Sequence, residues 1–178
     1  MKITTSLAVV IVFLTAFGLS ANAQKRRPAP RKSTAVKKIS TIPPLEVRAA
    51  RVKVSNQLSN VDQFIKVLGP IAQNIEDLDN QARTRKISQT SSDTNEANKK
   101  KVITAIRGLR DGLVTLESEF RVKPDLKKYL PMIQGISDLA AQAHDSAFAG
   151  KFVASQAPLK TISQKLSATL TAMPNVEL

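Results

Sequence analysis

Groups able to do chemistry are few in this chain of 178 residues: it has one histidine, three methionines and no cysteine. Without cysteine there is no disulfide, thiolate metal site or c-type haem attachment. Any Ser-His-Asp set would have to use His144 as its base. Its neighbour Asp145 points about 100° away on a helical wheel. Three and four positions from His144 stand Ala140, Ala141, Ala147 and Phe148, so the Glu-x-x-His pattern of a di-iron site is missing. There is no Gly-rich phosphate loop and no G-x-S-x-G elbow. Glu117 and Glu119, two apart, do not share a helix face. Asp62–Lys66, Asp79–Arg83, Glu96–Lys100 and Glu117–Arg121 are acid-before-base pairs at a spacing of four. Such pairs read as solvated helix faces. His144 reads as a boundary residue flanking an apolar stripe. The expectation is a non-enzymatic protein with no catalytic, cofactor-binding or metal-ligating residue.

The elements carrying these residues are helical by periodicity. Val54, Leu58, Val61, Ile65, Leu68, Ile71, Ile75, Leu78 and Ala82 recur at threes and fours. They predict a helix over about 45–87, kinked at Gly69-Pro70, where proline removes a backbone donor. Residues 45–53, poorer in periodicity and rich in charge, are expected to overhang the fold. SQTSSDTN, residues 88–95, reads as a loop, with Asp93 and Glu96 able to form a capping box. A second helix over 94–121 carries Val102, Ile106, Leu109, Leu113, Leu116 and Phe120. Gly108 and Gly112 on it are spaced to let a neighbour approach. A third over 124–149 carries Leu126, Leu130, Ile133, Ile136, Ala140, Ala143 and Ala147, with Pro131 in its second turn and Gly150 ending it. A fourth over 151–173 carries Ser155, Leu159, Ile162, Leu166, Leu170 and Met173. The fold class expected is all-α. The architecture expected is an antiparallel up-down-up-down four-helix bundle over residues 45–178, with shallow crossing angles and a disordered basic N-terminal arm.

In AHDSAFAGKFVASQAPLKTI, residues 143–162, an Ala-rich helix passes through Gly150, Lys151 and Phe152 into a final amphipathic helix. Over this hairpin and in its bundle layout the chain resembles cytochrome c′ and cytochrome b562-type four-helix bundles. The resemblance implies the bundle fold. It does not bring the family's haem function, because this sequence departs from the haem-binding pattern. The cysteine attachment pair and its following histidine are missing. A Met/His axial pair also fails on geometry. Met132 lies twelve residues from His144 on one helix, about 18 Å along the axis. Met173 sits at the far end of the last helix, roughly 25 Å from the level of His144.

The N-terminus carries most of the excess charge. The formal charge is +13. Residues 24–53 hold ten basic side chains and one acid, whereas 16 basic and 13 acidic residues follow from Val54 onward. Lys25, Arg26, Arg27, Arg31, Lys32, Lys37 and Lys38 lie in a segment with Pro28, Pro30, Pro43 and Pro44 and no aromatic residue. Residues 24–44 therefore read as a disordered, extended basic arm. Ahead of it, Lys2, the apolar run Leu7–Leu19 and the triplet Ala21-Asn22-Ala23 have the layout of a secretory signal over residues 1–23. Cleavage between Ala23 and Gln24 is expected. The following cations argue the other way, since Lys/Arg-rich flanks tend to stay in the cytoplasm.

Several functional expectations follow. The leading one is an exported module, periplasmic or extracellular, held by its arm at an anionic surface through Lys25, Arg26, Arg27, Arg31, Lys32, Lys37 and Lys38. Lipid head groups, lipopolysaccharide, teichoic acid and matrix nucleic acid are the candidate surfaces. The bundle would then engage a protein partner or stabilise an assembly. Sequence-specific nucleic-acid recognition is not expected, because no aromatics interleave the arm's charges. One alternative is a carrier of small apolar ligands in the bundle core. Another, if the signal is uncleaved, is a membrane-anchored cytoplasmic helical module.

Overall fold

A computed structural model describes residues 43–85 and 87–175, all within one compact unit. The expected signal segment, its cleavage site and the basic arm lie outside these residues. The described chain is all-helical, as its periodicity predicts. Its elements in order are α1 (Leu45–Thr84), α2 (Gln89–Val122), a 3-10 helix (Pro124–Tyr129), α3 (Leu130–Ile133), α4 (Ile136–Phe148) and α5 (Gln156–Ala172). None of the described helices is long and apolar enough to cross a membrane.

Helix α1 starts directly after Pro44, whose carbonyl accepts the Arg48 N–H at 3.1 Å. Val47, Val54, Val61, Leu68 and Ile75 are all buried, each seven residues after the last. This heptad line makes a long apolar seam. Its first member corrects the expected overhang: Val47 and Ala50 lie in the core, so residues 45–53 belong to the packed unit. The helix also runs unbroken through Gly69-Pro70. Pro70 lacks a donor for the preceding turn, but buried Leu68 and Ala72 on either side hold the segment in register.

Helix α2 begins five residues earlier than the polar run suggests. Ser88, not Asp93, is the N-cap, and its hydroxyl accepts the Ser91 N–H at 3.1 Å. Two further contacts draw the run into the helix. Gln89 Nε2 donates to Asp93 Oδ1 at 2.9 Å, and Asn95 is buried against α1. Val102, Ile106, Leu113, Leu116 and Phe120 form its buried stripe.

The expected third helix over 124–149 is divided. Pro124 opens a short 3-10 helix of six residues rather than an α-helix, and Pro131 removes a donor from the turn after it. Gly135 then takes φ = 87°, a left-handed conformation that ends α3 and re-aims the chain into α4. Gly150, at φ = 77°, ends α4. There the Gly150 N–H donates to Ala147 O at 3.0 Å and the Lys151 N–H to Ser146 O at 2.9 Å, a Schellman closure. Residues 151–155 form a turn around buried Phe152 before α5 begins.

Helix α1 packs against α2 and α5, and α4 packs against the same two helices. The core runs along the middle of this ring. It is filled by the α1 and α2 stripes, by Ile136, Ala140, Ala143 and Ala147 of α4, and by Leu159, Ile162 and Leu166 of α5. The alanines let α4 come close to α2, where long side chains would hold it off.

Candidate functional site

The strongest polar constellation in the core is built on Glu117. It stands four residues after Leu113 and three before Phe120, on the buried face of α2, and is only 2% exposed. Its carboxylate lies at the start of α4, where helix geometry leaves backbone N–H groups unpaired. Oε1 accepts the Gly135 N–H at 3.0 Å. Oε2 accepts the Ser137 N–H at 3.0 Å and the Ser137 hydroxyl at 2.6 Å. Arg121, one turn on, donates to Oε1. Burial alone would raise this carboxyl's pKa. The Gly135 N–H, the Ser137 hydroxyl, Arg121 and the Ser137 N–H outweigh it and hold the group down at about 2. Glu117 thus caps α4 from another helix, and every acceptor position faces a donor. Its bonds leave no lone pair aimed at open space, so the arrangement fits a structural anion rather than a general base.

Sequence reasoning places Glu117 with Arg121 on a solvated face, and the structure corrects this. Arg121 is exposed while its partner is buried. The signal was present in the spacing, because positions 113, 117 and 120 share the apolar stripe. The Glu96–Lys100 and Asp79–Arg83 pairs are also rearranged. Lys99 instead bridges Asp79 at 2.6 Å and Glu96 at 2.8 Å. Burial works to lower the Lys99 pKa, but its bonds to Asp79 and Glu96 win and raise it. Asn95 Nδ2 donates to Asp79 Oδ1 at 2.8 Å, fastening the end of α1 to the start of α2.

Two basic residues counted with the arm's charge have internal partners. Arg51 donates through Nη1 to Leu170 O and to Met173 O at 2.8 Å, and through Nη2 to Asn175 Oδ1 at 3.0 Å. It closes the last turn of α5, whose final carbonyls lack helical donors. Lys53 is bonded to Glu119, which also lies 3.6 Å from Lys123. The Lys53 bond leads the effects that lower the Glu119 pKa. At the other end of α1, the Val153 N–H donates to Glu76 Oε1 at 2.8 Å, tying the α4–α5 turn down.

His144 packs its ring against Phe148, with centroids 6.2 Å apart and planes 17° from parallel. Its Nδ1 is 3.4 Å from Asp145 Oδ1, at the outer limit of a hydrogen bond. Met132 is partly exposed and Met173 is buried at the end of α5. No three metal-ligating acid or histidine side chains converge among the described residues.

The larger concavities are surface grooves. One of about 450 Å³ lies between α1 and α2, walled by Asn56, Gln57, Asp111, Gly112, Thr115 and Glu119. A second of about 530 Å³ continues along the same helix pair, past Asn60, Gln63, Phe64, Val67, Ala105 and Gly108. A third of about 520 Å³ lies where Glu76, Asp79 and Arg83 meet the α4–α5 turn. The linings are mixed, with amides and charges beside short apolar stretches. The expected surface-binding residues Lys25, Arg26, Arg27, Arg31, Lys32, Lys37 and Lys38, and the cleavage residues Ala21, Ala23 and Gln24, lie outside the described residues. No family model, curated protein or solved structure matches this chain.

Proposed function

We propose that this protein is a non-enzymatic, exported helical module held at an anionic envelope or matrix surface by its basic N-terminal arm. One observation carries the reading: Lys25, Arg26, Arg27, Arg31, Lys32, Lys37 and Lys38 stand within residues 24–44 with no acid among them, while from Val54 onward the chain is nearly balanced. A segment of that charge is drawn to anionic surfaces and loses the attraction as salt screens it. The folded unit then acts as an interaction or structural element. Its finer architecture is an antiparallel up-down-up-down four-helix bundle of α1, α2, the 124–148 segment and α5. The cross-helix bonds favour that topology. Lys53 meets Glu119 where α1 starts and α2 ends, Asn95 meets Asp79 where α1 ends and α2 starts, and Glu76 meets the α4–α5 turn.

Protein purified from its host and sequenced from the N-terminus should begin at Gln24. An intact Met1 would reverse the export reading. Binding to polyanions or anionic vesicles should weaken steeply with salt and weaken markedly when residues 24–42 are deleted. Binding that survives that deletion unchanged would remove the arm from the tether.

A further inference from the structure

The end of the folded unit where α1 starts and α2 stops combines two features rarely left together on a solvated surface. It exposes large apolar side chains: Leu45 on the first turn of α1 and Val122 on the last turn of α2 are each 72% exposed. It also carries basic residues on the adjoining backbone. Arg48 stands one turn into α1, Lys123 directly after α2, and exposed Lys127 and Lys128 on the 3-10 helix that packs against both. Glu119, bonded to Lys53 and lying against Lys123, ties the N-terminal part of α1 to the last turn of α2. Beside Val122 a concavity of about 430 Å³ opens, walled by Val114, Ser118 and Lys123. Glu46, Asp125 and Asp138 are the acids here without a salt bridge among the described residues, and Asp138 acts on Arg121 beside Val122. With Arg48, Arg121, Lys123, Lys127 and Lys128 on this end, cations still outnumber them.

We propose that this end is a membrane-docking face, on which Leu45 and Val122 enter the headgroup layer of an anionic phospholipid bilayer while Arg48, Lys123, Lys127 and Lys128 bind lipid phosphates. Exposed apolar side chains ringed by Lys and Arg are what an interfacial anchor uses, the first burying in the acyl boundary and the second drawn to surface charge. A soluble polyanion would use the cations and leave Leu45 and Val122 in water. The apolar pair therefore favours lipid over nucleic acid. Residues 24–44 join the fold at this end through Pro44, so arm and face can act on one surface. The inference rests on the tether reading for its charge and adds a defined orientation, with the helices standing upright on the membrane. Val67, 58% exposed on α1, is then held clear of it. It lies 22 residues beyond Leu45, about 33 Å along the axis, against a burial depth of about 5–10 Å for interfacial helices.

The chain has no tryptophan, so single introduced tryptophans report cleanly. The full mature chain carrying Val122→Trp, Leu45→Trp or Val67→Trp is mixed with vesicles of equimolar phosphatidylglycerol and phosphatidylcholine, and with phosphatidylcholine alone. The expected result is a blue-shifted emission for V122W and L45W on the anionic vesicles only, with V67W unshifted. In the wild-type background, Lys123→Gln, Lys127→Gln and Lys128→Gln combined should weaken vesicle partitioning about 100-fold, with unchanged far-ultraviolet circular dichroism. Vesicle binding with no shift at either position would overturn the docking face and leave the arm tether standing. An equal shift for V67W would overturn the upright orientation and with it the face. Binding to double-stranded DNA but to no vesicle would overturn the lipid assignment, and binding to neither would overturn the tether reading as well.

Discussion

Glu117 and Gly135, 18 residues apart in sequence, are joined by a 3.0 Å hydrogen bond from the glycine N–H to a buried carboxylate. The bond matters because Gly135 is the residue at which the chain turns into α4, in a conformation only glycine adopts easily. Glu117 supplies the cap that no local side chain provides there. Replacing it with glutamine keeps the size but points amide hydrogens at donors. Glu117→Gln should destabilise the protein by about 2–4 kcal/mol in urea denaturation, whereas Ser137→Ala should cost about 1 kcal/mol. If E117Q costs no more than Glu96→Gln on the exposed face, the carboxylate is not a clamp.

The same carboxyl makes stability depend on acid in a defined window. Its pKa is ordinarily near 4.5 and is held at about 2 in the fold. A depressed carboxylate contributes fully above the unfolded value and loses its contribution as pH falls through the folded one. Stability is therefore expected to be insensitive to Glu117 above about pH 5 and to fall by about 3 kcal/mol between pH 4.5 and 2. Denaturation midpoints across this range should decline less steeply for E117Q than for the wild type. Parallel declines would assign the acid sensitivity elsewhere.

The helical class was legible because it rests on apolar periodicity. Val54, Val61, Leu68 and Ile75 announce a seam that burial of the whole heptad line repeats. What local reading missed depends on contacts between distant segments. Asn95 draws a run of serines and threonines into α2 by bonding to Asp79, overriding a composition that favours a loop. The stripe through Leu126, Ile133 and Ile136 passes over Gly135 at helical spacing, so periodicity alone continues the helix. The turn is set by a left-handed glycine whose N–H is taken by Glu117. Arg51 looked like arm charge because its acceptors are backbone carbonyls 119 and 122 residues away.

Arg51 is therefore expected to behave as a structural residue. Its guanidinium holds Leu170 O, Met173 O and Asn175 Oδ1 together, which a lysine's single ammonium cannot do in a plane. Arg51→Gln should destabilise by about 1–3 kcal/mol and raise amide exchange in the last turn of α5. Arg51→Lys should recover only part of the loss. Protection at α5 unchanged in R51Q would show that the cap is dispensable.

Two glycines predict substitutions of opposite sign. Gly108 lies within α2, exposed, and a β-carbon added there meets nothing within 4 Å. Of the two glycines expected to admit a neighbour, only Gly112 does so: a β-carbon there would come 2.8 Å from Gln57 Nε2. Gly108→Ala changes only helix propensity and should stabilise by about 0.5–1 kcal/mol. A β-carbon at Gly135 also meets nothing, yet its φ of 87° is unfavourable for any L side chain. Gly135→Ala should destabilise by about 1–2 kcal/mol from backbone strain alone, and by more if relaxation pulls its N–H from Glu117. The urea midpoint should rise for G108A and fall for G135A at equal slope. A G135A protein as stable as the wild type would mean that α3 and α4 can join without the left-handed turn, and the account of why the third helix is divided would fail with it.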